Sequence, residues 1–521
     1  MTDKIFTGDG REVLAGWPAG CVDMVVTSPP YWGLRDYGVE GQLGSEDTLE
    51  EYIDNQVAVF REVRRVLKDH GTLWINMGDS YATGGRGGGA PDCKQKTNRG
   101  SLLGAKRPSD GLKPHDMVGQ PWRLALALQA DGWYLRSAII WAKAVSFCDT
   151  YSGSTMPESV NGWRWERCRR KVKAGSVYRM GDPSKSGHRS SGATDHTINK
   201  SAQWEDCPGC EKCEGTDGYV LRKGAWRPTK GHEHLFLFAK SERYYCDAEA
   251  VKEAGASGPS DIKKMIEGKD RIGGRHKNLA DELNAASAAT RIGQKRAVGQ
   301  AGTRNLRDVW TINPSPTDWE YCSACDRLYG LSGYRRLKTS VPAGSSVPIR
   351  HCSCGRSDSW VQHFATFPRA LVEPCIKAGT SERGNCPKCG MPWVRVIESE
   401  PVKRYRRNDR TDRHNAGDDV NSCGNTVAGV SSRTIAWRPS CECKGADGEV
   451  LRASKALVLD PYMGSGTTAL AAYRLGRDYV GIELNPDYAA MARKRLAAAG
   501  EQYGLLDSLT AETAESAEKR E

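Results

Sequence analysis

Apolar and polar positions follow clear periods near both ends of the chain, and the long middle lacks them. Residues 22–27 are almost uniformly apolar, which predicts a strand. Residues 49–67 repeat large apolar side chains three and four positions apart, which predicts a helix that Gly71 ends before a strand at 72–77. We expect further strands at 4–6, 135–141, 234–239, 456–459 and 479–482, and further helices at 11–15, 121–129, 467–475 and 486–498. Strands that alternate with helices predict an α/β fold.

The composition limits the classes of protein to which the chain can belong. Its 521 residues suffice for two or three domains, and part of the net charge of +11 lies in two basic clusters at 164–173 and 403–413. Such clusters are typical of phosphate contacts, although solvated loops have the same composition. No apolar run is long enough to span a membrane and the N-terminus lacks the apolar core of a signal peptide, so we expect a cytoplasmic protein that binds no membrane. Thiols stay reduced in that compartment, so the 18 cysteines indicate metal rather than disulfides.

The first candidate site is a glycine-rich turn between a strand and a helix near the C-terminus. Asp460 ends the strand and can accept from an ammonium group, while the glycines let the backbone approach a ligand. The helix that starts at Thr467 offers unpaired N–H groups to a carboxylate, and Glu483 ends the next strand, where acids bind ribose hydroxyls. The segment predicts a pocket for a nucleoside that carries an amino acid, although a Gly-x-Gly alone also occurs in ordinary turns. The candidate binding residues are Asp460, Pro461, Gly464, Gly466, Thr467, Thr468, Glu483 and Asn485.

The second candidate site is a proline-rich loop that follows the strand at 22–27. Pro29 and Pro30 stop the strand and hold the residues before them extended, so the loop is stiff and lies at the strand's carboxyl end. Ser28 and a loop carbonyl can accept both N–H bonds of an exocyclic amine, which draws the nitrogen toward sp³ geometry and frees its lone pair. Tyr31 can stack on a base that has left its helix. The loop thus predicts chemistry at an amine without a strong general base, although a proline-rich turn after a core strand has the same composition.

Thr27–Trp32 and Asp460–Thr468 together resemble the catalytic and cofactor motifs of the DNA methyltransferases that modify amino groups. The catalytic motif comes first, which resembles the beta class of that family, a circular permutation of the usual fold. The resemblance implies a Rossmann-like, S-adenosylmethionine-dependent methyltransferase sheet, circularly permuted and here carrying long Cys-rich insertions. Such a sheet closes only if residues 4–6 lie beside residues 479–482.

Further segments resemble the same family and add candidate residues. Asp9 is similar to the acid that binds the adenine amine of the cofactor, and Phe367 and Pro368 belong to a segment similar to the helix that covers its methionine. Residues 139–143 resemble a W-x-K strand beside the target pocket, and residues 227–244 resemble the block that follows it. The resemblance assigns catalysis to the loop residues Ser28, Pro29, Pro30 and Tyr31.

The chain divides on this basis into core segments and insertions. In order, these are an N-terminal methyltransferase segment with the catalytic loop (1–145), a Cys-rich basic insertion that is a candidate for target recognition (146–226), a core strand (227–250), a flexible basic insertion (251–310), a zinc-ribbon-like insertion (311–360), the cofactor-covering helix (361–380), a second zinc-ribbon-like insertion (381–445), the C-terminal methyltransferase segment with the cofactor site (446–500) and a disordered tail (501–521).

Twelve cysteines have the spacing of metal ligands. Two sets each combine a Cys-x₂-Cys with a Cys-x-Cys, and a Cys-x₂-Cys-x₂-Cys run needs a fourth sulfur, for which we choose Cys168. Four thiolates suit structural zinc, which would hold core-poor insertions together. A redox role needs a thioredoxin-like unit that the sequence does not show. The three sets are Cys322, Cys325, Cys352 and Cys354; Cys386, Cys389, Cys441 and Cys443; and Cys168, Cys207, Cys210 and Cys213.

We therefore expect an enzyme that methylates the exocyclic amine of a flipped base in double-stranded DNA, with S-adenosylmethionine as cofactor and zinc as a structural metal. Ser28 favours cytosine N4 in the resemblance, and adenine N6 is the alternative. Methyltransferases of RNA or protein amides commonly have Asn at that position, and a DNA-binding protein with an inactive core would not need the intact site residues. A cognate restriction endonuclease is a candidate partner, and the oligomeric state stays open.

Overall fold

The computed structural model divides the chain into two compact units. Residues Met1–Cys148 and His232–Glu521 make up the first unit, and Asp149–Gly231 make up the second. The residues that the structure describes are 4–82, 111–113, 115–143, 162–172, 203–224, 228, 230–254, 303–314, 319–330, 339–340, 349–350, 360–361, 367–401 and 430–500. The basic cluster at 403–413, the tail at 501–521 and most of the predicted flexible insertion at 251–310 lie outside the described residues.

Helices and strands alternate through both ends of the chain. The helices are α1 (Gly10–Ala15), α2 (Leu49–Val66), α3 (Gln120–Ala130), α4 (Arg369–Gly379), α5 (Thr467–Arg474) and α6 (486–500), with a short 3₁₀ helix at Ala248–Val251. The strands are β1 (Lys4–Thr7), β2 (Val22–Thr27), β3 (Leu67–Met77), β4 (Tyr134–Lys143), β5 (Trp163–Arg167), β6 (Arg169–Val172), β7 (Gln203–Asp206), β8 (Tyr219–Lys223), β9 (His232–Ala239), β10 (Glu253–Ala254), β11 (Thr303–Arg304), β12 (Val309–Ile312), β13 (Trp319–Cys322), β14 (Arg327–Gly330), β15 (Thr339–Ser340), β16 (Ile349–Arg350), β17 (Trp360–Val361), β18 (Trp393–Pro401), β19 (Val430–Pro439), β20 (Leu457–Asp460) and β21 (Asp478–Glu483).

A sheet of eight strands forms the centre of the first unit, in the order β1-β21-β20-β2-β3-β9-β4-β12. Strand β9 runs antiparallel to β3 and β4, and all other neighbouring strands are parallel. The two ends of the chain meet in this sheet, where Lys4 pairs with Val480 and Thr7 pairs with Glu483. The predicted pairing of residues 4–6 with the strand near 479–482 is therefore confirmed.

Helices cover both faces of this sheet because its central strands are apolar on both sides. All six residues of β2 are buried. One face packs against α1, α2 and α3, with Phe60 and Leu124 in the contact. The other face packs against α4, α5 and α6, with Ile376 and Ala472 in the contact. Among the described helices, none is both long enough and apolar enough to cross a bilayer.

Helix α2 and strand β3 join without a loop, which differs from the prediction. Thr48 caps the start of α2 with its side chain, and the helix ends at Val66. The prediction that Gly71 ends the helix is wrong, since β3 starts at Leu67 and contains this glycine. A Cβ at position 71 would lie 2.8 Å from the carbonyl oxygen of Asp23. The glycine thus lets β3 approach β2 closely rather than ending a helix.

Several strands of the first unit lie where the sequence predicts none. Strand β12 pairs with β4 and extends the main sheet. Strands β18 and β19 form a long antiparallel hairpin, which joins β10 and β11 in a sheet of four strands. Smaller sheets combine β13 with β14 and β17, and β15 with β16. Most described residues of β12 and β19 are exposed or half-buried, so the apolar pattern that predicts a strand is weak there.

The described residues of the second unit form two antiparallel ribbons, β5 with β8 and β6 with β7. Trp163 and Trp165 are exposed, so the aromatic residues of the first ribbon form no core. Among the described side chains of this unit, only Cys168 and Cys213 are buried. Among the described residues of this unit, cysteine side chains are therefore buried where a hydrophobic core would place apolar ones.

Replacing Asp23 should destabilise the main sheet. Its carboxylate accepts from Lys68 Nζ at 2.6 Å and from the Leu457 backbone N–H at 2.8 Å, which ties β2 to β3 and β20. Asp23→Ala removes the acceptor of a buried amide and leaves a largely buried ammonium with only the Gly390 carbonyl at 3.4 Å, so we expect the free energy of unfolding to fall by about 3 kcal/mol in urea titrations. Arg61→Ala, which breaks an exposed pair with Asp131, is the control. An equal effect of both substitutions would contradict this role of Asp23.

Candidate active site at the carboxyl edge of the sheet

The two motifs singled out in the sequence lie on neighbouring strands. Strands β2 and β20 are parallel neighbours, with Met24 opposite Val458 and Val25 opposite Leu459. Their carboxyl ends therefore place the proline-rich loop directly beside the glycine-rich turn. In α/β sheets, ligands bind at this edge.

Asp460 joins the two motifs through hydrogen bonds. Its Oδ1 accepts from the Thr27 hydroxyl at 2.6 Å, and its Oδ2 accepts from the Thr468 hydroxyl at 2.6 Å. The side chain is 1% exposed, and this burial raises the pKa of Asp460 to about 6 although both threonine hydroxyls lower it. The sequence analysis predicts that this carboxylate accepts hydrogen bonds from an ammonium group of a ligand. In the structure it also fixes the end of β2 to the start of α5.

The turn after Asp460 depends on backbone conformations that favour glycine. Gly464 has a φ of 54° and Gly466 has a φ of 81°. Gly466 is the cap residue of α5 and has no side chain that could accept from the first N–H groups of the helix. Thr467 and Pro461 are buried in the same turn. This arrangement leaves backbone donors at the carboxyl edge for an anionic group.

Glu483 is held at the end of β21 by two backbone amides. Its Oε2 accepts from the Gly464 N–H at 2.7 Å and its Oε1 from the Asn485 N–H at 2.8 Å. Burial raises the pKa of Glu483 to about 7, although these amides lower it. Each carboxylate oxygen has a further lone pair, so the fixed side chain can accept from hydroxyl groups of a ligand. Asn485 also caps α6, since its Oδ1 accepts from the Asp487 N–H at 2.9 Å.

The remaining predicted binding residues lie at the ends of other elements. Asp9 follows β1 and caps α1, and its carboxylate accepts from the Arg11 guanidinium at 2.7 Å. That contact is the main reason why the pKa of Asp9 is lowered. Phe367 is half-buried against the core under α4, and Pro368 is the cap residue of that helix. The carboxylate of Asp9 is thus paired with a cation in the first turn of α1.

The proline-rich loop is fixed by contacts from α2 and from its own side chains. Ser28 is half-buried, and its Oγ lies 3.5 Å from the Tyr31 hydroxyl. Pro29 is buried, and the carbonyl of Pro30 accepts from the Tyr52 hydroxyl at 2.8 Å. Burial raises the pKa of Tyr31 well above its usual value, so this hydroxyl keeps its proton and can donate.

Sequence reasoning missed three side chains of a polar cluster at Tyr31. Glu233 Oε2 accepts from the Tyr31 hydroxyl at 3.1 Å, and Asn76 Nδ2 lies 3.3 Å from the same hydroxyl. Lys143 Nζ donates to Glu233 Oε1 at 2.6 Å. Lys143 and Glu233 belong to the segments that resemble the family, yet neither received a role. Polar residues at the ends of otherwise apolar strands were the signal that could have identified them.

The described residues contain two separate groups of four cysteines. Within each group, all four sulfur atoms lie within 4.8 Å of one another. The sequence analysis chooses Cys168 as the fourth member of the set at 207–213. In the structure its Sγ lies 3.8 Å from Cys210 Sγ. Backbone amides of Cys389 and Lys388 lower the pKa of Cys386 to about 7, although its burial raises that pKa. Cys322 and Cys325 are described, whereas Cys352 and Cys354 lie outside the described residues. The groups are Cys168, Cys207, Cys210 and Cys213, and Cys386, Cys389, Cys441 and Cys443.

Comparisons with known proteins point to one family. A family model described as DNA methylase, for N6 and N4 methyltransferases, matches residues 22–386 and 451–494 of this chain. The Type II methyltransferase M.SmaI of Serratia marcescens is 29% identical over 494 residues, which cover 95% of this chain and 90% of that protein. The Type II methyltransferase M.XycI of Xanthomonas campestris pv. cyanopsidis is 30% identical, and the match covers 94% of this chain and 87% of that protein.

The raised pKa of Glu483 should make the stability of the ligand-free protein depend on pH. The folded protein favours the protonated carboxyl, so its contribution is complete below about pH 4.5 and is lost as pH rises through about 7. We expect the free energy of unfolding of the wild type to fall relative to Glu483→Gln by about 3 kcal/mol between pH 4.5 and pH 8, at 1.36 kcal/mol per pKa unit. Urea titrations across this range would measure the difference.

A substitution at an exposed acid serves as the control for this pH dependence. Glu40 is exposed, so Glu40→Gln should keep the wild-type dependence. Parallel stability curves for the wild type and Glu483→Gln would contradict the raised pKa.

Proposed function

Because the chain belongs to the N6/N4 family of DNA methylases, we propose that it is a site-specific enzyme that methylates the exocyclic amine of cytosine at N4. The observation that carries this proposal is the contact of Asp460 with both Thr27 and Thr468. One carboxylate thereby fixes the loop that would hold the amine against the turn that would hold the methyl donor.

The fold of the enzyme is a circularly permuted methyltransferase sheet. This interpretation is supported by the pairing of β1 with β21, which joins the two chain ends. It is also supported by the order of the motifs, since the proline-rich loop after β2 comes first and the glycine-rich turn after β20 comes last. The Cys-rich insertions interrupt the sheet between its strands.

The residues at the carboxyl edge suit S-adenosylmethionine. Glu483 is fixed by two backbone amides and keeps lone pairs for ribose hydroxyls. The uncapped start of α5 suits a carboxylate, and the glycine turn allows close approach of a ligand to the backbone. When bound here, S-adenosylmethionine supplies an electrophilic methyl group. Phe367 and Pro368 at the start of α4 would cover the methionine part, and Asp9 would hold the adenine amine.

The proline-rich loop would orient the nucleophile. Ser28 Oγ and a loop carbonyl accept the two N–H bonds of the target amine, so the nitrogen lone pair points at the methyl group. Tyr31 stacks on the flipped base and compensates for the stacking that the base loses. The amine loses its proton after the methyl has arrived, so no strong base is required. The alternative target is adenine N6, which presents the same amine chemistry.

Double-stranded DNA would dock against the insertions at 145–230 and 250–355 before the base flips. Arg169 and Arg170 on β6 are exposed and suit phosphate contacts in exchange for their ion pairs with Asp206 and Glu205 on β7. Type II methyltransferases belong to restriction–modification systems, so a cognate endonuclease is the expected partner in the cell.

Removing the hydroxyl of Ser28 should slow methylation strongly and leave cofactor binding intact. We expect Ser28→Ala to lower the single-turnover rate about a hundredfold, since the target amine loses a fixed acceptor. The measurement is transfer of tritiated methyl from S-adenosylmethionine to unmethylated plasmid DNA, with calorimetry for cofactor affinity. Ser45→Ala, in the loop after the active site, is the control.

The modified base is identified by mass spectrometry of nucleosides from the same reaction. N4-methylcytosine is the expected product. N6-methyladenine would contradict the choice of cytosine and keep the enzyme class. A wild type that transfers no methyl to DNA would refute the function itself.

The cysteine groups suit structural zinc. In the second unit the only buried described side chains are Cys168 and Cys213, so a bound metal would replace a hydrophobic core. In the first unit, Cys386 and Cys389 lie in the turn before β18, and Cys441 and Cys443 follow β19. Zinc there would close the base of this long hairpin. The set at Cys322, Cys325, Cys352 and Cys354 would hold a third ion.

Metal analysis tests these sites. We expect about three zinc ions per chain by mass spectrometry, and one fewer in Cys386→Ser, because three thiolates hold zinc much more weakly than four. Cys386→Ser should lower the stability of the protein strongly and the rate of methyl transfer only slightly, because the site is structural. Cys21→Ser alters a cysteine outside the sets and should keep the zinc content. Unchanged zinc in Cys386→Ser would refute that site.

A further inference from the structure

Three strands of the sheet contribute polar side chains to a cluster at the hydroxyl group of Tyr31, two in contact with that hydroxyl and one, Lys143, in contact with Glu233. Asn76 comes from β3, Lys143 from β4 and Glu233 from β9. Because β9 is antiparallel to its neighbours, its first residues lie at the same edge as the last residues of β3 and β4. The four side chains thus form one cluster beside the proline-rich loop.

This cluster is costly for the fold. The side chains of Lys143 and Glu233 are only 18% and 15% exposed, and a buried ion pair seldom stabilises a protein more than apolar residues would. Asn76 is buried, and its Oδ1 has no hydrogen-bond partner within the described part of the chain. A Cβ at Gly78 would lie 3.0 Å from the Tyr31 ring and 3.2 Å from the Glu233 carboxyl carbon. Tight packing and unmet polarity at one place indicate a role in function.

The direction of the hydrogen bonds follows from the chemistry of the groups. A carboxylate that is paired with an ammonium only accepts, so Tyr31 donates its proton to Glu233 at 3.1 Å. The Tyr31 oxygen is then left to accept, and Asn76 Nδ2 points at it from 3.3 Å. Ser28 Oγ lies 3.5 Å from the same oxygen. The Ser28 hydroxyl therefore donates toward Tyr31.

We propose that Glu233 sets the direction of a hydrogen-bond chain through Tyr31 to Ser28, so that the Ser28 oxygen presents its lone pairs to the target amine. The inference rests on the proposed methylation of an amine. The target amine donates N–H bonds. A serine hydroxyl whose proton already donates to Tyr31 keeps its lone pairs directed at the amine, and it is therefore a better acceptor than a hydroxyl that rotates freely. Glu233 acts through Tyr31 and is a positioning residue, and Lys143 and Asn76 hold its carboxylate in place.

The test replaces the carboxylate by an amide of the same shape. In Glu233→Gln the side chain can donate to Tyr31, which allows the chain to reverse. We expect kcat for methyl transfer to unmethylated plasmid DNA to fall about tenfold, with an unchanged KM for S-adenosylmethionine. Tyr31→Phe keeps the ring, removes the hydroxyl and should lower kcat to a similar extent.

Combined variants separate this role from a structural one. In a Ser28→Ala background the effect of Glu233→Gln should vanish, because no hydroxyl is left to orient, whereas a general loss of structure would multiply with it. Asp69→Asn is the matched control, since it breaks an ion pair with Lys240 at the other end of β9. It should leave kcat unchanged.

The outcomes distinguish this inference from the function on which it rests. A wild-type rate in Glu233→Gln, or independent effects of Glu233→Gln and Ser28→Ala, would overturn the inference while the methyltransferase function stands. A wild type without activity on DNA would remove the function itself. If Glu233→Gln does not fold, as judged by its melting temperature, Tyr31→Phe in the Ser28→Ala background decides between the same outcomes.

Discussion

The site depends on one buried carboxylate that joins distant parts of the chain. Asp460 accepts from Thr27, 433 residues away, and from Thr468 in the helix that follows its own strand. Burial raises the pKa of Asp460 to about 6, so placing a charged carboxylate there destabilises the folded state. In return the loop after β2 and the turn after β20 cannot move independently. The proline-rich loop and the glycine-rich turn are thereby kept at one distance, as the proposed group transfer requires.

The sequence was informative where local patterns determine structure. The apolar run predicts β2 with its observed bounds, Val22–Thr27, and the pairing of the two chain ends follows from the order of the motifs. The prediction that Gly71 ends a helix is wrong because glycine also allows two strands to pack closely. Whether it does so depends on the neighbouring strand, which the local sequence does not show. Strand β12 was missed because its residues are mostly exposed and show little alternation.

Much of the candidate site could not be read from the sequence, because its contacts are made across strands. The sequence identifies Asp460 as an acid at a strand end, but not that Thr27 and Thr468 hold it. It shows Glu233 within an apolar strand, but only the antiparallel direction of β9 brings that carboxylate to Tyr31. Residue types predict which groups are available, and the topology decides which of them meet.

The reversed direction of β9 has a consequence for how such a protein can diverge. Ala142 near the end of β4 pairs with His232 at the start of β9, so the two ends of the intervening segment are held side by side by the sheet. In topological terms the whole segment is the loop of a hairpin. The entropy of closing such a loop rises only slowly with its length. Segments of very different size can therefore be exchanged at this point while the core of the protein is inherited intact.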